Sequence, residues 1–564
     1  MPDTATAKSK AAAKSKTAAK AAPQTTTQKL DDIFKDVNRG DAPGLVVGVH
    51  QHGELLYRRG FGLASVELGV ANTPWTRMRI GSTSKHFTSL AALLLAEEGK
   101  LDIDAGVRTY LPELPDLRPE ATLRQLMNHT SGYRCYLDVA FLSDGMAIKP
   151  KGAALAAQVR QTAVNFPPGE RMIYCNGGYH MLSLIIERVS GIEFEKFLKE
   201  RIFDPLGMLD TTSVPSDFNI ERGAAGLYLP LPQGGYRRGI FPTEEVRGEG
   251  AMISTVDDML CWLKHMRGPK QVGSDASWAQ MLTMTKLNNG LVNPYGLGLM
   301  RHDYRGVEVI HHGGGVVGGA TQMITVPSHE LDIIIITNGA LMAPGAAAHK
   351  VIDAVLGDKV LAAAKKPPSS KRFKPMVGTR YHAKSSGLLF GFEDAGGKLV
   401  ISIFNSQGLP LHDAGKDLRL RFEDMAIGPI VVETSALATS GEAPAKLEIS
   451  ESGNAETFVK LPANAPKLKA AGQPLVGRYR APDLDADAEI TLSDDTLELK
   501  VYGSMGLNTM VLEPFSNDAF GWKIPDAMLP LRGSLTVDRK GGKVKGFRID
   551  TSRSRHIWFE RLEG

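Results

Sequence analysis

The chain has 564 residues, too many for one hydrophobic core, so two to four domains are expected. With 43% hydrophobic and 23% charged residues, its composition is that of an ordinary soluble protein. The formal charge of +4 is a tail effect, since residues 1–29 hold six lysines against one aspartate; the rest is near neutral, so no basic nucleic-acid-binding surface is implied for the folded part.

Residues 1–28 are mostly Ala, Lys, Thr and Ser with almost nothing to bury, and a disordered tail is expected there. The tail lacks the apolar core of a secretory signal, and no stretch of the chain is long and apolar enough to span a membrane, so a cytoplasmic protein is expected. Cys135, Cys175 and Cys261, odd in number and sparse, agree with that reading. Cys175 reads as a small buried residue, because no activating base adjoins it in sequence.

Leu45 to His50 and Leu55 to Arg59, turned at His52-Gly53, form a hairpin signal. Ser82-Thr83-Ser84-Lys85 follows. A hydroxyl is a poor nucleophile unless a proton acceptor lies within hydrogen-bond reach, and a lysine one helical turn on can be that acceptor. Phe87, Leu90, Ala91, Leu94 and Leu95 predict a helix with one buried stripe, ended by Gly99. Next, Phe166-Pro167-Pro168-Gly169 predicts a turn before Tyr174-Cys175-Asn176, and Leu182, Ile185, Ile186 and Val189 predict a helix capped by Gly191. His311-His312-Gly313-Gly314-Gly315 precedes two alternating runs, Thr321 to Val326 and Leu331 to Thr337, which read as a hairpin; glycines at a strand edge allow close backbone approach. A helix through His349 to Ala363 ends this region, and a sheet built from both of its ends with helices around it is expected.

An internal repeat marks the remainder. Pro375 to Ala383 recurs as Pro474 to Ala481, and each copy continues in short alternating runs such as Lys398 to Phe404 and Thr496 to Tyr502. Two small antiparallel β-barrel domains are expected at 372–461 and 474–564, with linkers at Lys365 to Lys371 and Pro462 to Gln473.

Ser82-x-x-Lys85, Tyr174-x-Asn176, and His312-Gly313-Gly314 where many members carry Lys-Thr-Gly together resemble the penicillin-recognising serine hydrolases of the class C β-lactamase and peptidase S12 type. Leu126 to Gly132 and Ile202 to Met208 are also similar to stretches common in that family. The resemblance covers about Leu30 to Ala364 and is greatest to the bacterial D-aminopeptidases. It implies a β-lactamase-like α/β sheet with a helical subdomain over 29–364, making the fold multidomain.

The resemblance further implies an acyl-enzyme on Ser82, with Lys85 or Tyr174 as the base. An unperturbed tyrosine keeps its proton to about pH 10, so a Tyr174 phenolate would need Lys85 and His312 close by. The backbone of Ser82 and Gly315 is the implied oxyanion hole, and Asn176 is implied to bind the substrate amide or Lys85. A neutral His312 in place of lysine weakens recognition of a free carboxylate and points to amides, small peptides or esters; His311 should face the other way. In the D-aminopeptidases a loop of the last domain reaches the site; the matching stretch, Val501 to Met510, offers Tyr502, Gly503, Ser504 and Asn508 but no carboxylate for an ammonium.

The expected function is release of N-terminal D-amino acids. An esterase, a DD-carboxypeptidase or β-lactamase-like hydrolase, and a non-catalytic penicillin-binding-like protein are the alternatives. No metal or other cofactor is expected, because no paired-histidine spacing or nucleotide loop is present. The expected partner is a small peptide, amide or ester, with no nucleic acid and no membrane; a homodimer is one assembly the reading allows.

Overall fold

Alternating apolar runs from the two ends of the N-terminal region close into one sheet. The structure, a computed structural model, describes residues 24–364, 367–414, 417–420, 430–432, 434–526 and 531–563. Residues 1–23 of the expected tail and Lys365-Lys366 of the expected linker lie outside them. The sheet contains β1 (Leu45–Gln51), β2 (Glu54–Phe61), β3 (Met300–Tyr304), β4 (Val307–Val316), β5 (Gly319–Val326) and β6 (Leu331–Thr337). Its order is β3-β4-β5-β6-β1-β2, antiparallel throughout. His52 and Gly53 make the predicted turn with φ of 52° and 79°.

The helices that matter here are α1 (Thr26–Phe34), α2 (Lys85–Glu97), α3 (Tyr136–Asp144), α4 (Asn176–Ser190), α5 (Val256–Arg267) and α6 (Pro344–Leu356). Helix α1 starts ahead of residue 29 because Thr25 and Gln28 close a capping box. Period-two alternation sends Leu45, Val47 and Val49 of β1 to a core shared with α1 and α6, and Val46 to a core shared with α2, α4 and α5. Helix α6 begins earlier than expected, because Pro344 needs no N–H partner in a first turn, and it ends at Gly357, whose φ is 67°. Helix α2 also differs from the expected single stripe. Every side chain from Lys85 to Leu95 is buried, so it runs through the middle of the region rather than over it.

Both repeat copies lead a 3₁₀ turn into a first strand with a buried tyrosine: Ser370–Met376 before Tyr381, and Gln473–Leu475 before Tyr479. The second module closes as an eight-stranded barrel, Gly477–Ala481 pairing with Ile557–Arg561. The first is a nine-stranded sheet whose edges are Leu409–Pro410 and His412–Ala414. Only Leu411 separates those edge strands in sequence, so the sheet curls, although no ladder joins its edges among the described residues. The expected linker 462–473 carries a short helix, Leu468–Gly472, whose Ala471 joins the barrel core.

The modules share their cores with the hydrolase-like region. Tyr136, Val139, Phe141 and Leu142 of α3 pack into the barrel's cluster. Between Lys543–Asp550 and Ile557–Arg561 the chain inserts beside the start of α3: Ser554 Oγ accepts the Cys135 N–H at 3.1 Å, and Arg553 donates to Asp138 at 2.5 Å. Arg555 makes two 2.7 Å bonds to Glu451 of the curled sheet, which also pairs with Arg171 at 3.1 Å. Burial alone would raise the Glu451 pKa, but the two guanidiniums hold it below the usual range.

Candidate active site

Ser82 sits in a 3₁₀ turn, Gly81–Ser84, that runs directly into α2, whose first residue is Lys85. The Lys85 Nζ lies 3.0 Å from Ser82 Oγ, 2.8 Å from Asn176 Oδ1 and 2.5 Å from the Glu249 carbonyl oxygen. Burial lowers the Lys85 pKa from 10.5 to about 7, with the Glu249 carboxylate pulling the other way. Two of its three partners only accept, so they take two N–H bonds. A neutral amine then keeps its lone pair for the third partner, the Ser82 hydroxyl. In that arrangement an amine can accept a hydroxyl proton.

Tyr174 lies on the approach to α4, and Asn176 is that helix's first residue. The Tyr174 ring is held between the Lys85 Nζ, 4.8 Å from its centroid, and the His129 ring, 4.0 Å away. Its hydroxyl is buried, and among the described residues it has no hydrogen-bond partner. Burial raises the Tyr174 pKa well above 10, opposed by the neighbouring Ser82. The phenol therefore keeps its proton.

His312 does not help to form a phenolate. Its Nε2 is 3.0 Å from Tyr295 Oη and its Nδ1 is 2.5 Å from the Gly313 carbonyl, so both nitrogens are engaged. Tyr295 Oη is also 3.1 Å from His129 Nε2, while His129 Nδ1 accepts the Cys175 N–H at 3.1 Å. The two ends of this chain assign the rest: His129 donates to Tyr295, Tyr295 to His312, and His312 Nδ1–H to Gly313. Burial and the Lys85 charge lower the His312 pKa to about 3, which keeps it in that neutral form. His311 faces away, 3.0 Å from His302 Nδ1, as alternation along a strand predicts.

Strand β4 presents its glycines to the serine turn. A Cβ on Gly314 would lie 2.0 Å from the Ile80 carbonyl oxygen, and one on Gly81 would lie 2.9 Å from the Gly315 nitrogen. Gly313, opposite Gln322 in the β4–β5 register, has less constraint, 3.2 Å from Gln322 Oε1. Ser82, Asn176 and Gly315 together line a cleft of about 80 Å³ that opens to solvent, with Arg79, Tyr136, Leu137, Pro215, Asp217, Phe241, Val246, Glu249 and Val316 around it.

The last-domain residues fall elsewhere. Tyr502, Gly503, Ser504 and Asn508 belong to the hairpin joining Leu497–Tyr502 to Leu507–Pro514. It packs on the far end of α3: Asn508 Nδ2 donates to the Phe141 carbonyl at 2.9 Å, and the Met505 N–H to Asp144 Oδ1 at 2.8 Å. None of the four lines the cleft, whereas Tyr136 and Leu137 at the other end of α3 do. Sequence reasoning missed Glu249, Tyr295 and Asp217, which carry no local pattern. His129 had a signal, the Leu126 to Gly132 segment, but no assigned role.

Comparison with known proteins gives the family of the chain. The Beta-lactamase family model matches residues 28–357. A D-aminopeptidase of Cereibacter sphaeroides is 28% identical over 545 residues, covering 94% of this chain and 98% of the relative. A D-aminopeptidase of Gluconobacter oxydans is 26% identical over 551 residues, covering 93% and 97%. Among solved structures, an octameric penicillin-binding protein homologue from Pyrococcus abyssi shares the fold with a TM-score of 0.53 at 20% identity, covering 95% of this chain and 100% of that one. The chain belongs to the beta-lactamase family and is a hydrolase of that superfamily.

Proposed function

We propose that the protein is a serine hydrolase that forms an acyl-enzyme on Ser82 and releases N-terminal D-amino acids from small peptides or amides. The observation that carries this is the Lys85 amine, 3.0 Å from the Ser82 hydroxyl with its other contacts to acceptors. Neutral Lys85 takes the Ser82 proton as Oγ attacks the carbonyl carbon. The developing oxyanion is received by the N–H groups of Ser82 and Gly315, and such donors supply a large share of acyl-transfer catalysis. Tyr174, still protonated, is the donor for the leaving nitrogen and takes back a proton from the Lys85 ammonium, which restores both groups; water then releases the acyl group by the reverse path. His312, neutral and engaged at both nitrogens, offers no charge to a substrate carboxylate, which favours amides over carboxypeptidase substrates. The D-aminopeptidase relatives match across almost the whole chain, C-terminal modules included, which supports the aminopeptidase reading over the esterase one.

Hydrolysis of D-alanine and L-alanine para-nitroanilides, beside para-nitrophenyl acetate, tests the reading. Faster cleavage of the D-anilide supports it. Cleavage of the acetate alone would leave an esterase.

A further inference from the structure

We propose that Asp217 is the carboxylate that binds the substrate's N-terminal ammonium, and that Leu137, Phe241 and Val246 beside it receive an apolar side chain. The inference rests on the aminopeptidase reading above and names the groups that give it amine specificity. An ammonium needs an anionic or strongly accepting partner inside the cleft that exposes Ser82. Among the described residues lining that cleft there are two carboxylates, Asp217 and Glu249.

Glu249 is already committed. Its Oε1 accepts from the Tyr136 hydroxyl at 2.5 Å and lies 3.3 Å from His180 Nδ1, its Oε2 accepts the Arg247 N–H at 3.2 Å, and its side chain is 3% exposed. Asp217 is 12% exposed and, among the described residues, has one partner on each oxygen, Arg79 Nη2 at 2.8 Å and the Phe241 N–H at 2.9 Å. A carboxylate accepts about four hydrogen bonds, so two positions remain. Arg79 does not compete for the ligand, because it also donates to the carbonyls of Val214 at 2.5 Å, Ala251 at 2.8 Å and Ser216 at 3.0 Å. It fixes the turn that carries Asp217.

The same backbone N–H that holds Asp217 belongs to Phe241, whose ring meets Phe141 edge-on at 5.9 Å. Ammonium partner and apolar wall are thus joined by a direct hydrogen bond. The substrate class that fits is an unblocked amine with a medium apolar side chain.

The test compares para-nitroanilides of D-leucine, N-acetyl-D-leucine and 4-methylpentanoic acid, with para-nitrophenyl 4-methylpentanoate as an amine-free acylating ester. A hydrogen bond to a charged group corresponds to roughly ten- to hundredfold in affinity. The unaltered protein should prefer D-leucine anilide over both amine-lacking anilides by about that factor in kcat/KM. In Asp217→Asn the preference should collapse towards one, through KM. A preference unchanged in Asp217→Asn overturns the proposal, as does an equal loss on the ester. Where that variant does not fold, inhibition of ester hydrolysis in the unaltered protein decides: D-leucinamide should inhibit about tenfold more strongly than its N-acetyl form, and equal inhibition overturns the proposal. An ester that acylates Ser82 with no amine preference removes this inference alone. Failure of every substrate to acylate Ser82 removes the hydrolase reading as well.

Discussion

In the proposed mechanism the chemistry at Ser82 turns on one amine. Its pKa is depressed to about 7 by burial, so the base-competent form grows as pH rises through that value. Activity should therefore climb through about pH 7, and Lys85→Arg, which stays charged, should lose several powers of ten in kcat; a pH–rate profile with a stopped-assay control checks both. His312, with a pKa near 3, should leave that limb in place, because it does not titrate there. The same depression has a stability consequence. Between about pH 7 and 10.5 the unfolded chain holds a proton on Lys85 that the native state does not, so unfolding free energy rises with pH across that window. Lys85→Met should flatten that rise in urea titrations run at several pH values. Ser82, Lys85, Tyr174 and Asn176 were legible because short spacing and family motifs marked them. Glu249 was not, since what it gives Lys85 is a backbone carbonyl 164 residues away in sequence.

Elements carry the site through close backbone contact. The 3₁₀ turn at Ser82 abuts β4, and Gly314 leaves no room for even a methyl group against the Ile80 carbonyl. Gly314→Ala should push strand and turn apart, lowering kcat by about a hundredfold or more, as loss of an oxyanion donor does elsewhere, while far-UV circular dichroism is preserved. Gly313→Ala, facing only the end of a glutamine side chain, should cost far less. The sheet and its main strands could be read from alternation, and α2 and α4 from apolar spacing with glycine stops. That α2 is buried all round was hidden, because Lys85, His86, Thr88 and Ser89 look solvent-facing until their partners are known. Helix α6 was misplaced because its alanine-rich start gives no amphipathic signal.

Across the whole molecule the C-terminal modules are built into the β-lactamase-like region. The repeat announced two modules, yet nothing local announces that residues 551–556 brace Cys135 and Asp138, more than 400 positions away. Helix α3 is anchored in the barrel core and lines the cleft at its start, so the barrel sets the position of Tyr136 and Leu137. Truncation before residue 474 should strip that apolar face and give an aggregating, inactive protein, while the full chain should unfold with barrel and catalytic region together in calorimetry. Arg555→Met leaves buried Glu451 with one guanidinium instead of two; removing one member of a buried pair costs about 3–5 kcal/mol, and the loss should appear in the melting temperature.

The most direct test of the account is intact-protein mass spectrometry after brief exposure to an activated ester, comparing the unaltered protein with Ser82→Ala. One acyl group should add to the unaltered protein, map to the peptide containing Ser82, and be missing from the variant. An adduct that persists on Ser82→Ala, or maps to another residue, would contradict a nucleophile at Ser82 served by Lys85.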